Sequence, residues 1–348
     1  MTTPIQSADT PSQNSSATTA QLAALLGGVA FSPLDEIGWL RITGSDRVRW
    51  LNGMVTNSIT KLATGQGCYN FALNAQGQIQ GDLTAFLEPD SILIESGSAA
   101  KLATLLERFI IMDEVELADI SMAGDADNRR VGLLLAGPQA VAILHKLNIQ
   151  IPNHTPTRFQ TVLRHTSPLE IVHARSVLVP RFEFWSTPTI IGALTEELLA
   201  AGAIAASTEA VEQLRILEGT PRYGIDITDR TLPQETTANG TQSHALGVDK
   251  GCYVGQEIVE RIRARGNVHR ALSGVLLAGT LPVGGTALEV EGEVVGEVTS
   301  VASIQLPGQL TPIQLALGVI RRESLKLSFP ITYAGGSATP VVVPYAIA

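Results

Sequence analysis

The chain has 348 residues, 45% of them hydrophobic, and a formal net charge of -9. That length implies about two or three folded units rather than one core, and the acidity excludes a surface that attracts nucleic acid as a whole. Apolar runs are all cut by Gly, Pro or charge short of a membrane span, as "VGLLLAGPQAVAIL" is at Pro138, so no membrane association is expected.

The opening "MTTPIQSADTPSQNSSATTA" has neither a basic nor an apolar leader region, and its Ser, Thr, Gln and Pro content predicts a disordered tail over residues 1–22. With no export signal and two cysteines, Cys68 and Cys252, no disulfide framework is expected, and a reducing cytoplasm is the expected compartment. "WLRITG" alternates like a strand, and Ser45 then offers an N-cap to a helix through "DRVRWLNGM". A meander follows in "NFALNAQGQIQGDLTAFLEPDSILIES", its three apolar stretches separated by turns. A helix is predicted over 99–110, and the acidic strand "DEVELADI" comes after it.

A second cycle begins with the strand "RVGLLLAG" and a helix over 138–147. "RSVLVPRFEFWS" predicts another strand. "STEAVEQLRILEG" predicts a helix with a Ser/Thr start, Val211, Leu214 and Leu217 on one face, and Gly219 as its stop. "DKGCYVGQEIVERIRARG" then reads as a helix from about Val254 to Arg265, ended by Gly266. Beyond it the texture changes to short β-type runs with frequent Gly and Pro, which predict a small antiparallel barrel or sandwich over 266–348.

Three features carry chemistry. Cys252 stands ahead of a predicted helix N-terminus and two residues from Lys250. Both would favour a thiolate, against the alternative of an inert cysteine packed in a turn; Gly251 and Gly255 suit either case. From Lys250 to Arg270 five cations face two anions, a net +3 within an otherwise acidic chain, which reads as an anion site or as a solvated helix face. Asp82 shares a strand face with Gln80, Thr84 and Phe86, and Glu183 is flanked by Phe182, Phe184 and Trp185. Asp82 reads as a solvated strand position or a catalytic carboxylate. Glu183 reads as edge-exposed or as a recognition group, since a carboxylate accepts two parallel hydrogen bonds from an amidine-like edge such as that of a pterin. Two cysteines are too few to hold a conventional iron–sulfur cluster in one chain, no His pair has ligand spacing, and no dinucleotide, Walker A or GxSxG motif is present.

"KGCYVGQE" resembles the signature of the YgfZ family, folate-binding relatives of the glycine-cleavage T-protein. "ITGSDRVRWLNGMVTNSI", "LNAQGQIQGDL", "RFEFW", "LRILEGTPRYGIDI" and "GEVTSVA" with "LALGVI" resemble further family segments, so that the likeness runs over 34–344. The resemblance implies an α+β fold of three parts around a central opening: two interleaved subdomains over 23–265 and a C-terminal antiparallel β-barrel. Tetrahydrofolate, or a one-carbon derivative of it, is the implied cofactor. Glu183 would read the pterin and Arg215 would lie near the folate. Lys250, Gly251, Tyr253, Gly255, Gln256 and Glu257 would lie at the ligand, and Cys252 and Asp82 would carry the chemistry. Gly81 stands where the T-protein pattern has the first of two aspartates, which counts against aminomethyl transfer. The implied role is an accessory one in assembly or repair of iron–sulfur enzymes, including those that modify tRNA, with such enzymes or assembly proteins as partners. A folate-dependent aminomethyl or methyl transferase is the alternative.

Overall fold

Leu22 and Leu25, three residues apart, give the N-terminal segment one apolar face, and that face is fully buried. In the computed structural model, which describes residues 11–347 apart from 123, 152–156, 238–243, 248, 267 and 327–329, this segment forms α1 (Pro11–Gly27). The expected tail over 1–22 is therefore corrected over 11–22, and its part over 1–10 lies outside the described residues. The two leucines pack with Leu214 and Leu217 of α6 (Thr208–Glu218), and Thr18 donates a hydrogen bond to Glu209. Burial of two leucines outweighs a Ser/Thr-rich composition.

The meander forms as the alternation predicts. β3 (Gly67–Leu73), β4 (Ile79–Leu87) and β5 (Ile92–Ser96) are antiparallel neighbours, and β2 (Gly38–Thr43) and β6 (Glu116–Asp119) complete a five-stranded sheet in the order β3-β4-β5-β2-β6. α2 (Arg47–Met54) and α3 (Ala99–Glu107) close its core around Leu40, Leu51, Leu83 and Leu102. The N-cap of α2 is Asp46 rather than Ser45; the Ser45 hydroxyl donates to Glu114 Oε2 at 2.7 Å instead.

The second sheet runs β11-β1-β7-β10-β9-β8, with β1 (Ala30–Pro33), β7 (Val131–Ala136), β8 (Arg158–Arg164), β9 (Ser167–Ala174), β10 (Arg181–Ser186) and β11 (Ile204–Ala205). α4 (Ala140–Lys146) and α5 (Pro188–Ala201) cover it. The two sheets meet through an aromatic cluster in which Trp39, Phe86 and Leu93 of the first pack on Phe159, Val172 and Trp185 of the second. Trp39 and Trp185 meet edge to face at 5.1 Å, the arrangement the ring quadrupoles favour. The Arg130 guanidinium lies 4.0 Å from the Trp39 ring.

α6 has the predicted boundaries: Ser207 caps it by accepting from the Ala210 N–H, and Gly219 ends it at φ +68°. α7 (Gln256–Arg265) ends at Gly266. Strands β12 (Arg270–Gly279), β13 (Ala287–Val290), β14 (Glu293–Ile304), β15 (Ile313–Arg321), β16 (Ile331–Tyr333) and β17 (Gly336–Val341) then close a six-stranded antiparallel barrel in the order β12-β15-β14-β13-β16-β17. The chain after β17 returns to the first two parts. The Tyr345 N–H donates to Leu217 O at 2.7 Å, and Val343 packs on Gly219. No helix among the described residues is long and apolar enough to cross a membrane.

Candidate functional site

A cavity of about 520 Å³ opens beside the aromatic cluster, where the two sheets, the end of α6 and the barrel's C-terminal extension converge. That volume suits one ligand of cofactor size. Its walls carry Tyr69, Asp82 and Glu95 from the first sheet, Arg175, Arg181 and Glu183 from β10 and the loop before it, Glu218 from α6, and His244.

Asp82 and Glu183, the two carboxylates singled out in the sequence, thus enter one site from different sheets. The Tyr69 hydroxyl donates to Asp82 Oδ2 at 2.9 Å. Burial raises the Asp82 pKa, with that hydrogen bond opposing. Tyr69 in turn is pushed well above the usual phenol range by burial and by the Asp82 charge. Side chains alternate along a strand, so Gly81 faces the other way: a Cβ there would lie 3.5 Å from Leu102 Cδ1 and 3.6 Å from Ser98 Oγ of α3 and its N-cap. The aspartate missing at 81 would not have entered the cavity.

Glu183 is 2% exposed. Its Oε1 accepts from Arg181 Nε at 3.1 Å and Nη2 at 2.8 Å, while Oε2 is buried and accepts from no N–H, alcohol or phenol among the described residues. The expectation that both oxygens accept from one ligand edge is corrected, since Arg181 already holds one and only Oε2 remains for a ligand. Against Glu183 stands Glu95, which the sequence reading missed. Burial, then the Glu183 charge and a hydrogen bond to Glu183, push the Glu95 carboxyl well above the usual range, with Arg181 and Arg130 opposing. A lone acid within the apolar "SILIES" was the available signal. Glu218 holds the wall loop: its Oε1 accepts from Ser176 Oγ and from the N–H groups of Val177 at 3.0 Å and Leu178 at 3.1 Å.

Arg215 lies elsewhere. It spans Glu212 at 2.6 Å, Asp226 at 2.7 Å and Ser300 Oγ at 2.6 Å, clamping α6 to β14, and is not among the cavity-lining residues. None of Lys250, Gly251, Cys252, Tyr253, Gly255, Gln256 and Glu257 lines the cavity either. Gly255, at φ +82°, is the N-cap of α7, so Cys252 stands four residues ahead of the first helical residue. Cys252 is exposed. The Lys250 ammonium turns inward: it is 9% exposed, donates to Asn52 O at 2.5 Å and lies 5.5 Å from the Tyr253 ring. Burial lowers its pKa to about 8, and its charge acts on Cys68. The expected pairing of Lys250 with Cys252 is thus corrected. The turn packs on the β3–β4 hairpin instead, where a Cβ on Gly255 would come within 2.5 Å of Asn74 O and one on Gly77 within 2.9 Å of Ile258. Both positions therefore require glycine. Glu257 pairs with Arg261 on the exposed face of α7.

Residues 5–241 match the family described as the GCVT N-terminal domain. The chain is 26% identical over 331 residues to a putative chloroplastic transferase of Arabidopsis thaliana, covering 93% of this chain and 73% of that protein. It is 30% identical over 251 residues to the tRNA-modifying protein YgfZ of Yersinia enterocolitica, covering 69% and 68%, and 26% identical over 319 residues to an aminomethyltransferase of Rippkaea orientalis, covering 87% and 81%. In fold it is similar to the glycine cleavage system aminomethyltransferase T of Bartonella henselae, with a TM-score of 0.77 at 19% identity over 94% of this chain and 89% of that one.

Proposed function

Because the chain belongs to the folate-binding GCVT family as a YgfZ-like relative of the glycine-cleavage T-protein, we propose that its cavity binds tetrahydrofolate or a one-carbon derivative, and that the protein is a cytoplasmic accessory factor for iron–sulfur enzymes, including those that modify tRNA. The observation that carries the reading is the buried Oε2 of Glu183, which no N–H, alcohol or phenol among the described residues reaches, inside a cavity of about 520 Å³. A buried acceptor left without an N–H costs up to roughly 1–3 kcal/mol, and an N–H of the pterin lowers that cost on binding. Tyr69, Phe71 and Phe86 on the same walls supply flat apolar surface for the ring. Arg175 is the exposed cation among the lining residues, suited to the anionic tail of such a ligand.

Cys252 supplies the second half of the reading, as an exposed thiol that reacts with, or transiently ligates, a partner's cluster. The test has two arms. Glu183→Ala should weaken tetrahydrofolate binding about tenfold or more, the equivalent of about 1.4 kcal/mol; unchanged affinity in a folded variant removes the cavity from the reading. In cells lacking the protein, the wild type should restore iron–sulfur enzyme activity and Cys252→Ala should not; equal restoration removes the thiol.

A second reading, a folate-dependent aminomethyl or methyl transferase, is favoured by Asp82. This carboxylate faces the cavity, where it can accept a proton from an amine nitrogen of the bound cofactor. Turnover of a lipoyl-borne aminomethyl group at rates typical of enzymes, above about 1 per second, would put this reading first.

A further inference from the structure

We propose that Glu95 and Glu183 act as one ligand-reading pair that shares a single proton, with Glu95 the donor and Glu183 the acceptor, so that the cavity selects a ligand edge with an N–H beside a carbonyl or ring-nitrogen acceptor. This deepens the folate reading and rests on it for the identity of the ligand. The proton-sharing itself does not.

Geometry carries the inference. β5 brings Glu95 to the cavity from one sheet and β10 brings Glu183 from the other. Arg181 occupies Oε1 of Glu183 with two N–H groups, and the buried Oε2 accepts from no N–H, alcohol or phenol among the described residues. A two-donor edge, such as an amidine, therefore cannot be read by Glu183 alone. The second acid on the same cavity walls is Glu95, which interacts with Glu183, and two neighbouring carboxylates repel each other unless one of them is protonated. The remaining charges relieve the pair only in part. Arg181 is already bound to Glu183, and Arg130 is engaged by Glu170 and stacked on Trp39. Within the cavity, Asp82 and Tyr69 bond each other and Glu218 is held by the 176–178 loop, while Arg175 and His244 lie on the same walls. The proton belongs on Glu95, on which burial and the Glu183 charge both act to hold it.

A protonated Glu95 donates to an acceptor and Glu183, held by Arg181, accepts from a donor, matching adjacent N–H and C=O groups of a pterin-type cyclic amide. A ligand carrying two donors at that edge leaves the Glu95 O–H unpaired, and one carrying two acceptors faces the Glu183 carboxylate. Both are rejected by the mismatch of buried polar groups. The sign of the pH effect follows. Affinity is present while Glu95 holds its proton and is lost as pH rises through its folded pKa, by about tenfold per pH unit above that point for a one-proton linkage.

The test uses Glu95→Gln, which keeps a neutral donor of the same shape, and Glu95→Ala, which does not. Without any ligand, infrared difference spectra of wild type against Glu95→Gln should contain the carbonyl stretch of a protonated carboxylic acid at neutral pH. Its absence overturns the shared proton whether or not folate binds. With 5-formyltetrahydrofolate as the titrant, wild-type affinity should fall as the solution is made alkaline, Glu95→Gln should bind with an affinity that does not change with pH, and Glu95→Ala should bind weakly throughout. Equal pH dependence in wild type and Glu95→Gln overturns the donor role. Loss of binding by all three proteins would instead refute the folate reading and leave the infrared result to decide on the pair.

Discussion

Replacing Lys250 with methionine should change the pH dependence of stability more than stability itself. Burial moves the ammonium's pKa from 10.5 to about 8, a shift worth about 3 kcal/mol at 1.36 kcal/mol per unit. The sign follows from proton counts. Below about pH 8 both states carry the charge, and the folded state bears its full desolvation. Between about 8 and 10.5 the unfolded chain binds the proton that the folded chain has released, so stability rises with pH. Lys250→Met abolishes this rise and deprives Asn52 O of its donor, at a pH-independent cost of about 1–3 kcal/mol.

The two effects nearly cancel at neutral pH, so the variant should be close to wild type there and should fall behind by up to about 3 kcal/mol as pH passes about 10. Denaturant unfolding of both proteins across that range gives the difference directly. Cys68 has a raised pKa, contributes with the opposite sign and feels the Lys250 charge, so the comparison is made in a Cys68→Ala background. A wild-type minus variant difference that does not change with pH would refute the buried-ammonium account and return Lys250 to solvent beside Cys252.

Arg215→Ala should destabilise the fold by about 3–5 kcal/mol, because it removes the cation from the Asp226 carboxylate, whose side chain is 0% exposed and which keeps only the neutral donors of Arg222 N–H, Thr299 and Ser300. Folate affinity of the folded fraction should be unchanged, and a selective loss of affinity would restore Arg215 to the ligand. Alkylation should divide the two thiols: Cys252 is exposed and should react in a fast phase that vanishes in Cys252→Ala, while burial raises the Cys68 thiol and slows it. A fast phase surviving that substitution would reverse the assignment.

What the sequence made legible was local. Ser207 and Gly219 mark α6 because capping is decided by neighbours in the chain. The barrel follows from short β runs, and Glu183 stands out as one acid among aromatics. What stayed hidden depends on approach from afar. Two cysteines and a lysine offer two pairings, and only folding against α2 turns the ammonium toward Asn52 and Cys68 rather than Cys252. Arg215 sits in a motif associated with folate, yet Asp226 and Ser300 draw it into the α6–barrel clamp. Glu95 becomes a site residue only because β10 delivers a second acid opposite it.

The parity of β4 bears on which of the two functions the cavity can support. With side chains alternating, position 81 faces α3 and position 82 faces the cavity, so the glycine at 81 removes no charge from the place where a folate nitrogen would react. Gly81 therefore does not count against transfer chemistry, contrary to what the motif alone implies. The sequence signature that favours an accessory role lies outside the cavity lining, on a turn that exposes Cys252. On the proposed reading, ligand binding and thiol chemistry would occupy separate surfaces, joined where Gly255 rests on Asn74 and Ile258 on Gly77 at the hairpin that leads into β4. A protein built this way can keep its cavity intact while the thiol-bearing turn takes on a partner. Substitutions at Glu183 and at Cys252 should then be separable in what they abolish.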